Sequence, residues 1–125
     1  MSKLKKIVVM EDDDILLKAL NIELLSDSFD VISATNGEIG LLLSKKELPD
    51  LILLDLMMPK VNGFEVLASL KKNKKTKHIP VIILSNLGQD EEIKKCLALG
   101  ALAYYKKSAT DLVKLSSQIF KILSQ

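Results

Sequence analysis

Five residues able to ionise or accept protons stand just beyond short apolar runs of this 125-residue chain. Glu11 and Asp12 follow residues 7–10, Asp55 follows 51–54, Ser85 follows 81–84 and Lys107 comes beyond 102–105. Brought together, they make a cluster of three carboxylates, one hydroxyl and one ammonium. Two carboxylates about 4 Å apart repel by roughly 4 kcal/mol at an effective dielectric near 20, so such a cluster stays ionised only beside a cation. Glu11, Asp12 and Asp55 carry −3 and Lys107 returns +1, and a divalent ion brings the total to zero. A few oxygen ligands suit Mg²⁺ with retained waters better than zinc or a dedicated calcium cage. A carboxylate, a metal, a lysine and a hydroxyl around one point form a receptor for a phosphoryl group, whose transfer depends on positioning and electrostatic stabilisation. Asp55 is then the candidate nucleophile, forming an aspartyl phosphate. Asp13 and Asp14 are equally well explained as acids opening a helix, where the dipole favours negative charge.

The elements that must position these residues are legible in the hydrophobic pattern. Strand-sized apolar runs recur at 7–10, 31–33, 51–54, 81–84 and 102–105. Between them lie sets at helical spacing: Leu17, Leu20 and Leu24; Ile39, Leu42 and Leu43; Phe64, Leu67 and Ala68; Ile93, Cys96 and Leu97; Leu112, Leu115, Ile119 and Ile122. Alternating strands and helices imply an α/β domain with a doubly wound parallel sheet, and runs without polar alternation suit strands buried on both faces. Asn36-Gly37 and Asn62-Gly63 read as helix entries, with each Asn as a cap. Ligands of such sheets bind beyond the carboxyl ends of the strands, which is where the five residues fall.

Composition narrows the field of functions. All 18 basic residues are lysine, against 16 acidic residues, for a net charge of +2. Without arginine's bidentate fork, sequence-specific nucleic-acid recognition is disfavoured. The lysines at 71, 72, 74, 75 and 77 lack interleaved aromatics and read as a solvated helix end. With 48% apolar residues the chain is not of disordered type, and no apolar run reaches the length of a membrane span. The apolar stretch near the N-terminus is too short for a signal peptide, so a cytoplasmic protein is expected. Cys96 is the single cysteine and His78 the single histidine; they supply neither a disulfide nor a usual zinc site, and Cys96 reads as a buried structural thiol.

At these residues the sequence resembles the receiver domain of bacterial two-component response regulators, of the single-domain chemotaxis-regulator type, over nearly its whole length. The matching stretches are Ile-Val-Val-Met-Glu-Asp-Asp at 7–13, Asp-Leu-Ile-Leu-Leu-Asp-Leu-Met-Met-Pro at 50–59 with Asn62-Gly63 following, Ile-Pro-Val-Ile-Ile-Leu-Ser at 79–85, and Gly100-Ala101 leading to Tyr104 and Lys107. The resemblance implies a flavodoxin-like (βα)5 sheet of strand order 2-1-3-4-5 and one receiver domain over residues 1–125. It implies Asp55 as phosphoacceptor, and Glu11, Asp12 and Asp55, with the Met57 backbone carbonyl, as the Mg²⁺ site. Ser85 and Lys107 would each meet a phosphoryl oxygen, and Tyr104 would be the aromatic that moves inward when Ser85 is drawn to the phosphate. Strand alternation allows only one of Tyr104 and Tyr105 to face the site. The implied partners are a sensor histidine kinase or histidine phosphotransfer protein and an output protein, with neither nucleic acid nor membrane contacted directly.

The chain departs from the family pattern in three places. Ser108 follows Lys107 where relatives often carry a proline, commonly after a cis bond that costs a non-proline residue about 2.5–4 kcal/mol. Leu102 and Ala103 stand where DNA-binding relatives place acids for a charged dimer, so that dimer is not expected. Met57 and Leu87, two residues beyond Asp55 and Ser85, flank the path of hydrolytic water in this family and cannot orient it by strong hydrogen bonds, which implies slow loss of phosphate. Two rival readings are an aspartyl-phosphate-forming phosphatase of haloacid-dehalogenase type, which needs an aspartate where Met57 stands, and a receiver-like scaffold that takes no phosphate. The first lacks its second acid; the second is disfavoured by the complete acidic set and Lys107. The reading is therefore a phosphoacceptor regulator that assists its own phosphorylation and dephosphorylation, rather than an enzyme.

Overall fold

A computed structural model describes residues 4–86 and 88–124. Five strands, β1 (Lys6–Met10), β2 (Asp30–Ala34), β3 (Leu51–Leu54), β4 (Val81–Ser85) and β5 (Ala103–Lys106), alternate with helices α1 (Asp14–Ser26), α2 (Gly37–Glu47), α3 (Gly63–Lys72), α4 (Asp90–Ala98) and α5 (Leu112–Leu123). The strands form one sheet in the order β2-β1-β3-β4-β5, every pairing parallel. This is the flavodoxin-like arrangement, in which the strand order reverses beside β1 and opens a crevice at the carboxyl edge.

Alternation along the central strands builds two cores. Val8, Met10, Ile52, Leu54, Val81 and Ile83 pack with the buried faces of α3 and α4, whereas Ile7, Val9, Leu51, Leu53, Ile82 and Leu84 pack with Leu17, Leu20 and Leu24 of α1 and Leu115 and Ile119 of α5. Both faces of β3 are sealed, which explains its unbroken Leu-Ile-Leu-Leu sequence. Each such fully buried side chain contributes about 1.5–3 kcal/mol of transfer free energy.

Side-chain caps start four helices. Asp13, Asn36, Asn62 and Asp111 each accept from backbone N–H groups in the first turn of α1, α2, α3 and α5. Helix α4 has no such cap and buries only Cys96 fully; the Lys95 ammonium, 4.3 Å from the centre of the Phe64 ring, ties it to α3.

Three expectations about packing are corrected. In α2 the core face is Gly37, Gly40 and Ser44, flanked by half-buried Leu41 and Leu43, while Ile39 and Leu42 are exposed. Small residues let this helix lie directly on the Met10 side chain, which a Cβ at position 40 would strike, so of the apolar set only Leu43 meets the core. In α4, Leu97 is exposed and half-buried Leu99 takes the packing role. Leu102 lies outside β5 and is exposed; its N–H donates to the Val81 carbonyl, and the strand proper begins at Ala103. As expected of a solvated helix end, Lys72, Lys74, Lys75 and Lys77 are exposed, while Lys71 turns back to donate to the carbonyls of Lys77 and Ile79. Among the described residues no helix is long and apolar enough to cross a membrane.

Candidate functional site

The acidic residues are held where the sheet's hydrogen bonding runs one residue past β1 and β3. The Glu11 N–H donates to the Ala34 carbonyl at 2.9 Å, and the Asp55 N–H to the Met10 carbonyl at 3.0 Å. Both side chains therefore leave the ladder at its carboxyl edge, each only 2% exposed. Asp12, next to Glu11, is exposed, and one carboxylate oxygen from each of Glu11, Asp12 and Asp55 lies within 4.8 Å of the others. The start of α3 crowds against this edge: Gly63 sits so close to the Asp55 carbonyl and the Leu56 backbone that a Cβ would collide with them.

Lys107 reaches the same point from the far side of the sheet. Its Nζ lies 2.8 Å from Glu11 Oε1 and 2.9 Å from Asp55 Oδ2. The lysine opens a short 3-10 turn, Lys107–Ala109, and every peptide bond among the described residues is trans. Ser108 in place of proline therefore leaves the delivery of Lys107 intact. Asp55 Oδ1 accepts the Met57 N–H at 3.2 Å, and Glu11 Oε2 accepts the Asp13 N–H at 3.0 Å.

That last bond identifies a role absent from the sequence reading. Asp13 caps α1 with its side chain and orients Glu11 with its backbone; an acid one residue before a helical pattern signals the cap alone.

The electrostatics follow from burial. Burial pushes the Glu11 carboxyl above its usual range, a rise that Asp55's charge reinforces and the bonds from Lys107 and Asp13 oppose. Burial alone pulls Lys107 down, but its bonds to Glu11 and Asp55 outweigh this and leave the ammonium above its ordinary value. Three carboxylates and one ammonium leave a formal charge of −2 in a half-enclosed crevice, and the hard oxygen donors fit a divalent cation.

Ser85 ends β4, fully buried. Tyr104, opposite Ile83 on the neighbouring strand, belongs to the core beneath α3 and α4, while Tyr105 packs on the other face with α1 and α5. The Tyr104 hydroxyl is enclosed and makes no hydrogen bond of normal geometry among the described residues. Burial pushes its pKa up, with Cys96 adding to the rise, and Ser85 is near enough to offset part of it. Met57 is exposed at the rim, and Leu87 lies outside the described residues. The structure thus brings Glu11, Asp12, Asp55 and Lys107 to one point and places Ser85 and Tyr104 on the adjoining strands.

The chain is similar in sequence and in fold to known proteins. The chain is 41% identical over 102 residues to a probable transcriptional regulator, ycf29, of Pyropia yezoensis, covering 82% of this chain and 46% of that protein. It spans less than half the length of the curated relatives it matches. Among solved structures, the Mn²⁺-bound form of response regulator Rcp1 is 31% identical, with a TM-score of 0.81 over 92% of this chain and 91% of that one. The BeF3-activated N-terminal receiver domain of Klebsiella pneumoniae RstA is 28% identical, with a TM-score of 0.87 over 97% of this chain and all of that one. Residues 7–119 match the family model for the response regulator receiver domain, and the chain belongs to that family.

Proposed function

We propose that residues 1–125 form a receiver domain that accepts a phosphoryl group on Asp55 from a sensor histidine kinase or a histidine phosphotransfer protein. The observation that carries this reading is the meeting of Lys107 Nζ with Asp55 Oδ2 at 2.9 Å, beside Glu11 and Asp12 oxygens within 4.8 Å. A carboxylate so placed attacks the phosphorus of a phosphohistidine. The new P–O bond forms as the P–N bond breaks, and the imidazole leaves with the electron pair and takes up a proton.

Lys107 stands where it can neutralise charge on one phosphoryl oxygen, exchanging its contact with Asp55 for one with the incoming group. Glu11, Asp12 and Asp55, with the Met57 carbonyl that the family pattern adds, are the residues that would hold Mg²⁺. When bound, the ion supplies Lewis-acid stabilisation of charge on the transferring group. That the similar response regulator Rcp1 has a Mn²⁺-bound form supports the binding of a divalent ion by this chain.

Ser85 and Tyr104 form the switch. A phosphoryl group on Asp55 adds negative charge and strong acceptors; the Ser85 hydroxyl donates to it, and Tyr104 keeps its inward position behind the serine. The Tyr104 hydroxyl is enclosed, which supports a phosphorylation that shifts the population toward a state the chain can adopt, with α4 and β5 as the surface an output protein reads. The chain acts as a cytoplasmic phosphoacceptor that assists its own phosphorylation and dephosphorylation, not as a turnover enzyme. Intact mass after incubation with acetyl phosphate and Mg²⁺, for the parent and Asp55→Ala, tests this reading.

A further inference from the structure

The amino edge of the sheet, where the strands begin and helices α2, α3 and α4 end, lies opposite the acidic pocket and is basic. From 66 to 89 the chain has five lysines, at 71, 72, 74, 75 and 77, and no acid. The helix dipole accounts for Lys71 and Lys72 in the last turn of α3, but not for the three beyond it. Those stand on a loop locked by its own bonds. The Asn73 carbonyl accepts from the Thr76 and Lys77 N–H groups, the buried Thr76 hydroxyl donates to the Leu70 carbonyl, and the Lys71 ammonium donates to the Lys77 and Ile79 carbonyls. Lys72, Lys74, Lys75 and Lys77 project from this platform, all exposed, and none forms an ion pair among the described residues. Lys45 and Lys46 close α2 at the same edge, while the acids beside them are engaged by Lys6, Glu47 through its ammonium and Asp50 through its backbone N–H. Leucines stand among these charges. The Lys71 stem lies against Gly100, in the turn that joins Leu97 to Leu102, and Leu48 ends α2; all three leucines are about half exposed.

We infer that this edge docks on an anionic lipid bilayer, with the lysines among the headgroups, the leucines at the headgroup boundary and the Asp55 pocket turned toward solution. The family resemblance implies no membrane contact; the residues that carry this one are the chain's own lysines and leucines. Charge and shape choose a bilayer over another polyanion. The lysines are spread over the ends of neighbouring helices α2 and α3 and the loop beyond, a breadth that meets a plane. They are point charges without arginine's bidentate fork, which suits a fluid layer of headgroups. Apolar side chains beside a basic patch are what an interfacial contact buries, whereas stacking on single-stranded bases needs aromatics, and none occurs at 66–89 or 94–102. The opposite edge fixes the orientation. Asp14, Glu38, Glu65 and Asp90 stand in the first turns of α1, α2, α3 and α4, so a negative surface repels the carboxyl edge and attracts the amino edge. Docking leaves Asp55 open to a phosphodonor and does not depend on its phosphorylation.

Cosedimentation of the full chain with vesicles of equal parts phosphatidylglycerol and phosphatidylcholine, against vesicles of phosphatidylcholine alone, tests the inference. The parent is expected to bind the anionic vesicles at low salt and not the neutral ones, and about 0.5 M salt should release it by screening. One lysine near an anionic surface is worth about fivefold in partition, so Lys74→Glu with Lys75→Glu should weaken binding at least about 25-fold. Lys18→Glu with Lys114→Glu changes the net charge equally near the starts of α1 and α5, where both lysines are exposed, and should weaken it far less. Leu97→Ser with Leu102→Ser leaves charge alone and should weaken binding severalfold. A parent that ignores anionic vesicles overturns the inference, as does an equal loss in the two lysine pairs or a leucine variant that binds as tightly as the parent. So does a DNA duplex that strips the chain from the vesicles at equal anionic charge, since the edge then belongs to nucleic acid.

Discussion

The ammonium of Lys107 bridges two buried carboxylates that follow different strands, lying 2.8 Å from Glu11 and 2.9 Å from Asp55. Without a metal ion it is the cation in direct contact with both. Lys107→Ala leaves the two acids facing each other, and stability in EDTA is expected to fall by about 3–5 kcal/mol, the range for a buried charge that loses its partner. Mg²⁺ should shrink the deficit, because the ion binds the folded pocket and not the unfolded chain. Urea denaturation with and without Mg²⁺ checks this; a variant as stable as the parent in EDTA contradicts it.

Persistence of the phosphoryl group follows from the apolar rim. Met57 is 58% exposed beside Asp55 and has no group that can hold an attacking water by a strong hydrogen bond; Leu87, the second position of the pair, is equally apolar by sequence. Met57→Asn with Leu87→Glu is expected to shorten the phosphoprotein's lifetime by up to about 100-fold, the low end of what one positioned general-base contact contributes. Phosphate release over time measures it, and an unchanged lifetime counts against this role.

Cys96 has no exposed surface, and burial pushes its thiol above the ordinary value, with Lys95 pulling it back slightly and Glu92 adding to the rise. A raised pKa means less thiolate at any pH below it, so native alkylation should still be climbing with pH where an unfolded thiol has levelled off. At pH 8, iodoacetamide is expected to react at least about 100-fold more slowly with the native chain than with the chain in urea, since only transient opening exposes the thiol. Equal rates contradict the packing of α4 described above.

Leu48 ends α2 in the left-handed region, at φ 46°, a conformation that costs a side chain with a Cβ roughly 1–2 kcal/mol and glycine nothing. It is half exposed, so little packing is lost on truncation. Leu48→Gly should therefore raise stability by about 0.5–1 kcal/mol after glycine's greater unfolded-state entropy is allowed for. A lower urea midpoint refutes this.

Much of this molecule is legible in its sequence because the strands are buried on both sides. Runs such as 51–54 have no polar alternation to confuse, and the residues just beyond them fall at the carboxyl edge by the logic of a parallel sheet. The pairing of Tyr104 and Tyr105 to opposite cores follows from the two-residue period. Helices were harder. In α2 the residues facing the sheet are glycine and serine, chosen for close approach over Met10, and a search for apolar periodicity lands on exposed Ile39 and Leu42. The bond from the Asp13 backbone to Glu11 leaves no trace in residue type. Nor does the trans route by which Ser108 lets Lys107 reach the pocket, since the sequence shows only a missing proline.

The central claim is that Asp55 takes a phosphoryl group with the help of a divalent ion, and intact-mass spectrometry after incubation with acetyl phosphate tests it most directly. The parent chain with Mg²⁺ should gain the mass of one phosphoryl group, and the gain should vanish in EDTA and in Asp55→Ala. A parent that gains nothing with or without metal, or an Asp55→Ala chain that gains as much as the parent, contradicts it.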